Sequence, residues 1–222
     1  YLSWRMNEVG GAFVQAESEL AGINMVIGAS SCGVRALTAS SGPGISLKQE
    51  GISTLCDEGL PAVVITQVRY GNGLGTLFTS QCDYHRETRG GGQGDYRCIV
   101  LCPSSIQEFV DLMLPAYELA EKYRIVTIMM GEGTLGQMME PVELPDFVEP
   151  KRTPWALNGH YTYKKIGIFE RDSMAEAVEL RAKYAEIKEN EQRWEEEDIA
   201  DADYVFVAYG VPGRATLGAV RE

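Results

Sequence analysis

Two short apolar runs constrain this chain more than any other feature. Residues 61–68 read Pro-Ala-Val-Val-Ile-Thr-Gln-Val and residues 125–130 read Ile-Val-Thr-Ile-Met-Met. Neither shows the strict alternation of a strand with one wet face. They therefore predict strands over 62–68 and 125–130 that are buried on both sides, as in a parallel sheet covered by helices. Both fall well short of the roughly 18 apolar residues a membrane span requires, which argues against a transmembrane helix.

The neighbouring segments supply the covering layers. Residues 12–15 read as a short strand, and 17–31 as a helix closed by Cys32-Gly33, with glycine where a left-handed residue is wanted. Residues 34–39 form the next strand, followed by Ser40-Ser41-Gly42-Pro43-Gly44 and a helix over 45–55. After strand 98–102, a capping box of Ser104 with Gln107 or Ser105 with Glu108 starts a helix reaching Tyr123. Strands spaced by helices of this length define an α/β fold, a parallel sheet with helices on both faces.

The pattern breaks for 29 residues between Arg69 and Arg97, seven of them glycine. Aromatic and charged residues are interleaved there, so a functional loop is the better reading than simple disorder. Further on, Pro141, Pro145, Pro150 and Pro154 mark an extended connector, and Asn158-Gly159 a tight turn. A charged helical stretch over 172–198 has Val178, Ala182 and Ala185 as a thin apolar stripe. Residues 170–201 hold 12 acidic and 5 basic side chains, which suits a solvated bridging helix better than a dedicated acidic docking surface. Residues 203–209 read as a buried strand, 210–213 as a turn and 215–222 as a helix just begun, the opening βα unit of another α/β domain. The chain opens at Tyr1 without a signal-peptide layout, and the expectation from both termini is an excerpt of a longer protein.

A formal charge of -12 repels phosphate backbones and anionic membrane surfaces, so neither nucleic acid nor membrane is expected as a partner. The five cysteines include no Cys-x-x-Cys, and His85 and His160 have no partner at metal-ligand spacing. No metal site is expected on this chain. Unpaired cysteines of this kind act as small hydrophobes and fit a reducing, cytoplasmic location.

Three features could carry chemistry. Ser41-Gly42-Pro43-Gly44 follows a strand and opens a helix, so its amides can face an anion, although it is no dinucleotide or Walker fingerprint. Glu19 lies in the first turn of a helix rich in small residues, where a flat ligand can approach; position alone also gives it the ordinary role of an acid at a helix start. Arg69 ends a buried strand at its carboxyl end, where open α/β sheets place ligands, and its fork suits a carboxylate; a snorkelling arginine is the equal alternative.

Four motifs then carry a family resemblance. They are Phe13-Val-Gln-Ala-Glu-Ser-Glu19-Leu-Ala-Gly-Ile-Asn-Met, Ser40-Ser-Gly-Pro-Gly-Ile-Ser-Leu-Lys-Gln-Glu-Gly51, Arg89-Gly-Gly-Gly-Gln-Gly-Asp-Tyr-Arg97 and Gly136-Gln-Met-Met-Glu-Pro141. Over nearly its whole length the chain resembles the α subunit of 2-oxoacid:ferredoxin oxidoreductases, most of all the branched-chain type acting on 3-methyl-2-oxobutanoate. The resemblance implies a thiamine diphosphate-binding fold with residues 1–140 as its pyrimidine-side domain, lacking an N-terminal segment. Residues 141–202 would be the linker and charged helix, and 203–222 the start of a second α/β domain.

The resemblance also implies the site. Glu19 matches the glutamate that contacts N1′ of the aminopyrimidine ring and promotes the imino tautomer, making it both catalytic and cofactor-binding. Ser41 and Gly42 would join it in binding the cofactor, and Arg69 would hold the substrate carboxylate. Thiamine diphosphate would be shared with a β subunit that holds the diphosphate and Mg2+. Iron-sulfur clusters would lie on partner chains, with γ and ferredoxin-like δ subunits, ferredoxin and coenzyme A completing the system. Relatives commonly read Arg-Gly-Gly-Pro-Gly-Leu-Gly where this chain reads Arg69-Tyr-Gly-Asn-Gly-Leu-Gly75, so Tyr70 and Asn72 depart from the pattern, as does Gln93 where a histidine is common. The alternatives are the same complex acting on 2-oxoglutarate, pyruvate or an aryl pyruvate, and a non-catalytic assembly subunit, which would have no need of Glu19.

Overall fold

The computed structural model describes residues 1–149, 153, 155–157 and 173–222. Four strands, β1 (Leu37–Ser41), β2 (Ala62–Val68), β3 (Ile99–Leu101) and β4 (Val126–Glu132), make one parallel sheet in the order β1-β2-β4-β3. The described helices are α1 (Leu2–Arg5), α2 (Glu19–Ser31), α3 (Pro43–Asp57), α4 (Tyr84–Arg89), α5 (Ile106–Tyr123), α6 (Ser173–Asn190) and α7 (Gly210–Arg221). All seven residues of β4 are buried, so both faces of the sheet are covered at its centre, as its unbroken apolar pattern requires. Val63, Val64, Ile128 and Met129 sit in the core that α2, α3 and α5 close. None of the described helices is long and apolar enough to cross a membrane.

The helix starts follow their caps. Ser18 Oγ accepts from the Ala21 N–H at 3.2 Å to begin α2. Ser105 Oγ accepts from the Glu108 N–H at 3.0 Å to begin α5, while the Glu108 carboxylate reaches back to the Ser104 N–H at 2.7 Å. Ser105 is thus the cap and Glu108 its partner, with the carboxylate satisfying the N–H one residue before the cap instead of the cap's own.

Several boundaries differ from expectation. The end of α2 is a Schellman turn: Gly33, at φ 74°, donates to the Ser30 carbonyl and Val34 to the Ala29 carbonyl. Because the Val34 N–H closes the helix, β1 begins only at Leu37. Helix α3 starts at Pro43, earlier than Ile45, since proline's fixed φ suits a first helical residue and Gly42 alone bridges strand and helix. Residues 12–15 are not a strand: all four are exposed and no described strand pairs with them. Residues 203–209 are not a strand either; Tyr204, Phe206 and Val207 are exposed, and no described residue offers the ladder that a strand needs. Residues 210–213 are already helical in α7.

The charged helix is shorter, and its inward face is rotated from the expected stripe. Val178, Ala182 and Ala185 are exposed, whereas Tyr184 and Ile187 pack against the core and Leu180 is half-buried. The Tyr184 hydroxyl accepts from the Arg97 N–H at 2.9 Å, and Glu191 accepts from Lys122 and from the Tyr123 hydroxyl, both at 2.7 Å. The helix therefore lies along the sheet domain. Asn158-Gly159, Pro150 and Pro154 fall outside the described residues.

Candidate functional site

The site grows from the crossing of α2 and α3, where side chains of one helix meet glycines of the other. A Cβ on Gly44 would lie 2.6 Å from Glu19 Oε1, and one on Gly51 would lie 2.6 Å from Ile23 Cγ2. In the reverse sense, a Cβ on Gly22 would lie 3.1 Å from Lys48 Nζ. Gly44, Lys48 and Gly51 recur at helical spacing, so they share the face of α3 turned to α2. The absence of Cβ atoms lets Glu19 stand directly against the first turn of α3, where a helix N-terminus favours an anion. Among the described residues none donates a hydrogen bond to its carboxylate.

Lys48 is 2% exposed. Its ammonium donates to Thr38 Oγ1 at 2.8 Å and, at 3.5 Å, to the main-chain carbonyl of Glu19. Burial pushes its pKa down, and the Glu19 charge opposes that shift.

The other wall comes from residues 69–97. This segment is ordered by α4 and by an antiparallel bridge between Arg69 and Thr79. Arg69 Nε lies 2.8 Å from where a Cβ on Gly42 would be; it is buried and has no hydrogen-bond partner, while Nη1 donates to the Thr76 carbonyl at 3.4 Å. From α4, Arg86 donates to the Gly42 carbonyl at 3.2 Å and pairs with Glu87 at 2.8 Å and Asp83 at 3.0 Å. Glu87 is 1% exposed, and its Oε2 has no partner. Burial pushes this carboxyl above its usual range, with Arg86 opposing. Two guanidinium groups thus flank the single-residue turn at Gly42, one committed to carboxylates and one with a free donor.

The glycine run 90–94 is held by polar groups. The Tyr96 hydroxyl accepts from the N–H groups of Gly91 and Gly92 at 3.1 and 2.9 Å and donates to Gln49 Oε1 at 2.8 Å; Ser53 Oγ donates to the Gln93 carbonyl at 2.6 Å. Beside Arg69, the buried Glu132 ends β4 and accepts from Gln81 Nε2 at 2.8 Å and Thr79 Oγ1 at 3.4 Å.

Of the expected residues, Glu19, Gly42 and Arg69 converge on the β1–α3 turn, and the half-buried Ser41 ends β1 beside them. The departures Tyr70, Asn72 and Gln93 have exposed side chains. Cys98 and Cys102 flank β3, Cys98 with its Sγ 3.8 Å from that of Cys56; burial pushes Cys102 up to about 12, so its thiol stays protonated. Sequence reasoning missed Lys48, Glu87 and Glu132. Lys48 is legible as the residue one turn after Gly44, and Glu132 as a carboxylate at a strand's carboxyl end, the argument that singled out Arg69. Glu87 left no such signal, because a six-residue helix has no periodicity to read. No group of three metal-ligating side chains occurs among the described residues.

Residues 3–203 match the family described as "Pyruvate flavodoxin/ferredoxin oxidoreductase, thiamine diP-bdg". Among curated proteins, the chain is 49% identical over 219 residues to ketoisovalerate oxidoreductase subunit VorB of Methanothermobacter marburgensis, covering 96% of this chain and 62% of that protein. It is 35% identical to 2-oxoglutarate synthase subunit KorA of Methanocaldococcus jannaschii, covering 97% of this chain and 67% of the relative. Among solved structures, 2-oxoglutarate:ferredoxin oxidoreductase from Magnetococcus marinus, with 2-oxoglutarate, coenzyme A and succinyl-CoA bound, superposes with a TM-score of 0.59 at 33% identity, over 61% of this chain and 24% of that one. The chain thus spans less than two thirds of its VorB relative, and by the match over residues 3–203 it belongs to the pyruvate flavodoxin/ferredoxin oxidoreductase family, in its thiamine diphosphate-binding part.

Proposed function

We propose that this chain is part of the α subunit of a branched-chain 2-oxoacid:ferredoxin oxidoreductase. The complex converts 3-methyl-2-oxobutanoate and coenzyme A to the acyl-CoA and carbon dioxide, and ferredoxin takes up the electrons. The observation that carries this reading is Glu19, whose carboxylate has no donor among the described residues and stands in a cradle that a side chain at Gly44 would fill. These residues fit a flat aminopyrimidine ring. When bound, thiamine diphosphate supplies the nucleophilic carbon and the electron sink for decarboxylation.

The chain's own residues do the rest of the work on this side. Glu19 holds a proton at N1′ of the pyrimidine. Ser41 and the backbone of Gly42 line the turn against the ring. Arg69, with its unpartnered Nε, binds the substrate carboxylate. The diphosphate and Mg2+ belong to a β subunit, and the iron-sulfur clusters to γ and δ partners and ferredoxin. Exposed Leu74, Leu77 and Phe78 on the 69–97 segment support contact with such a partner. We assign residues 1–140 to the pyrimidine-side domain, 141–202 to the linker and 203–222 to the next α/β domain, all in a cytoplasmic complex.

In the assembled complex, Glu19→Gln is expected to lower 2-oxoacid-dependent ferredoxin reduction by about a hundredfold or more. Near-normal turnover would overturn the reading. A second reading, 2-oxoglutarate as substrate, is favoured by the KorA relatives and the solved neighbour. Comparing kcat/KM for 3-methyl-2-oxobutanoate and 2-oxoglutarate decides between them.

A further inference from the structure

We propose that Lys48 is a positioning residue for Glu19, holding the main chain and the charge of that carboxylate in place from beneath the α2–α3 crossing. The inference rests on the reading of Glu19 given above. An ammonium has three donors, and Lys48 has two acceptors in reach: Thr38 Oγ1 at 2.8 Å and the Glu19 carbonyl at 3.5 Å. Among the described residues no carboxylate lies within ion-pair distance of it. A buried cation without an ion pair is expensive, and it stands here at the start of α2, where the helix dipole favours anions. A methionine of similar length would fill the same space without that penalty. The negative charge of Glu19, which faces Gly44 one turn earlier on the same face of α3, opposes that penalty in part.

The contact geometry gives the arrangement its reach. Gly22 leaves room for Nζ between the helices, and Gly44 leaves room for the Glu19 carboxyl. Lys48 therefore bonds the first residue of α2 to β1 through Thr38, and movement of the Glu19 backbone must break that link or carry Lys48 with it.

The test uses the assembled complex and reads deuterium exchange at C2 of bound thiamine diphosphate, together with cofactor affinity by calorimetry. Lys48→Met is expected to slow exchange by about ten- to a hundredfold, the range seen when a group that orients a reacting residue is lost. Cofactor affinity should stay within about threefold, and Lys48→Arg should recover most of the exchange rate. Exchange in Lys48→Met within about twofold of the parent overturns the proposal, as does a loss that Lys48→Arg leaves unrestored. If Lys48→Met does not assemble, Thr38→Val decides, with slowed exchange expected and unchanged exchange overturning the proposal. Glu19→Gln separates the two readings. Normal exchange in Glu19→Gln removes the role of Glu19 itself, whereas slow exchange there with normal exchange in Lys48→Met removes only that of Lys48.

Discussion

The α2–α3 crossing and the 69–97 segment meet at the same turn, around Gly42, yet they are held by different forces. At the crossing, Gly22, Gly44 and Gly51 let opposing groups approach where a Cβ would stand, so geometry is set by missing volume. In the 69–97 segment, Arg86, Glu87, Tyr96 and Gln49 fix the chain through hydrogen bonds and buried charge. An added methyl group is therefore the direct probe of the first wall, and a change in the buried Glu87 carboxyl the direct probe of the second.

The largest expected effect lies at the crossing. Gly44→Ala would crowd both the Ser40 hydroxyl and the Glu19 carboxyl, and a displacement of that size at a reacting group lowers turnover by about a hundredfold. Gly51→Ala, on the same face but against Ile23, should chiefly destabilise the chain by about 1–3 kcal/mol, as overpacking does, measurable by urea unfolding. If both variants were equally inactive at equal stability, the crossing would not be specific to Glu19.

Charge is the lever in the other wall. Burial raises the Glu87 carboxyl above its ordinary 4.5, so the folded chain holds this proton more tightly than the unfolded chain does. Stability from this group is therefore fully present below pH 4.5 and declines as pH rises through the folded value. Unfolding free energies of the parent and Glu87→Gln, measured from pH 4.5 upward, should differ by an amount that changes with pH in that sense. A constant difference would mean that Glu87 titrates alike in both states.

The smallest effect tests α6. Leu180→Ala should destabilise by about 1 kcal/mol, because that side chain faces the domain. Val178→Ala, on the exposed side, should stay within about 0.5 kcal/mol. Equal losses in thermal melts would return the inward face to the stripe that Val178, Ala182 and Ala185 suggest.

Reading the residues recovered the elements whose signals are local. The strand over Ala62–Val68 was read to the residue, and the end of α2 followed from Cys32-Gly33. Glu19 and Arg69 were found because each occupies a position with general meaning, a helix start and a strand end. Residues 203–209 show the limit of such signals: their apolar run states a need for burial without naming what meets it. Lys48 shows a second limit. A lysine four residues after Gly44 looks like any exposed helical cation until α2 is laid across it.

The sequence by itself determined that this chain makes a parallel α/β sheet with β2 and β4 inside, and that a carboxylate opens the helix before β1. Apolar periodicity and caps depend on neighbours a few residues away, so they survive in one dimension. Only the tertiary structure decided the order β1-β2-β4-β3, the inward face of α6 and the company kept by Glu19. Those depend on which surfaces meet. At the α2–α3 crossing, close packing brings Glu19, Gly44 and Lys48 together from segments up to 29 residues apart.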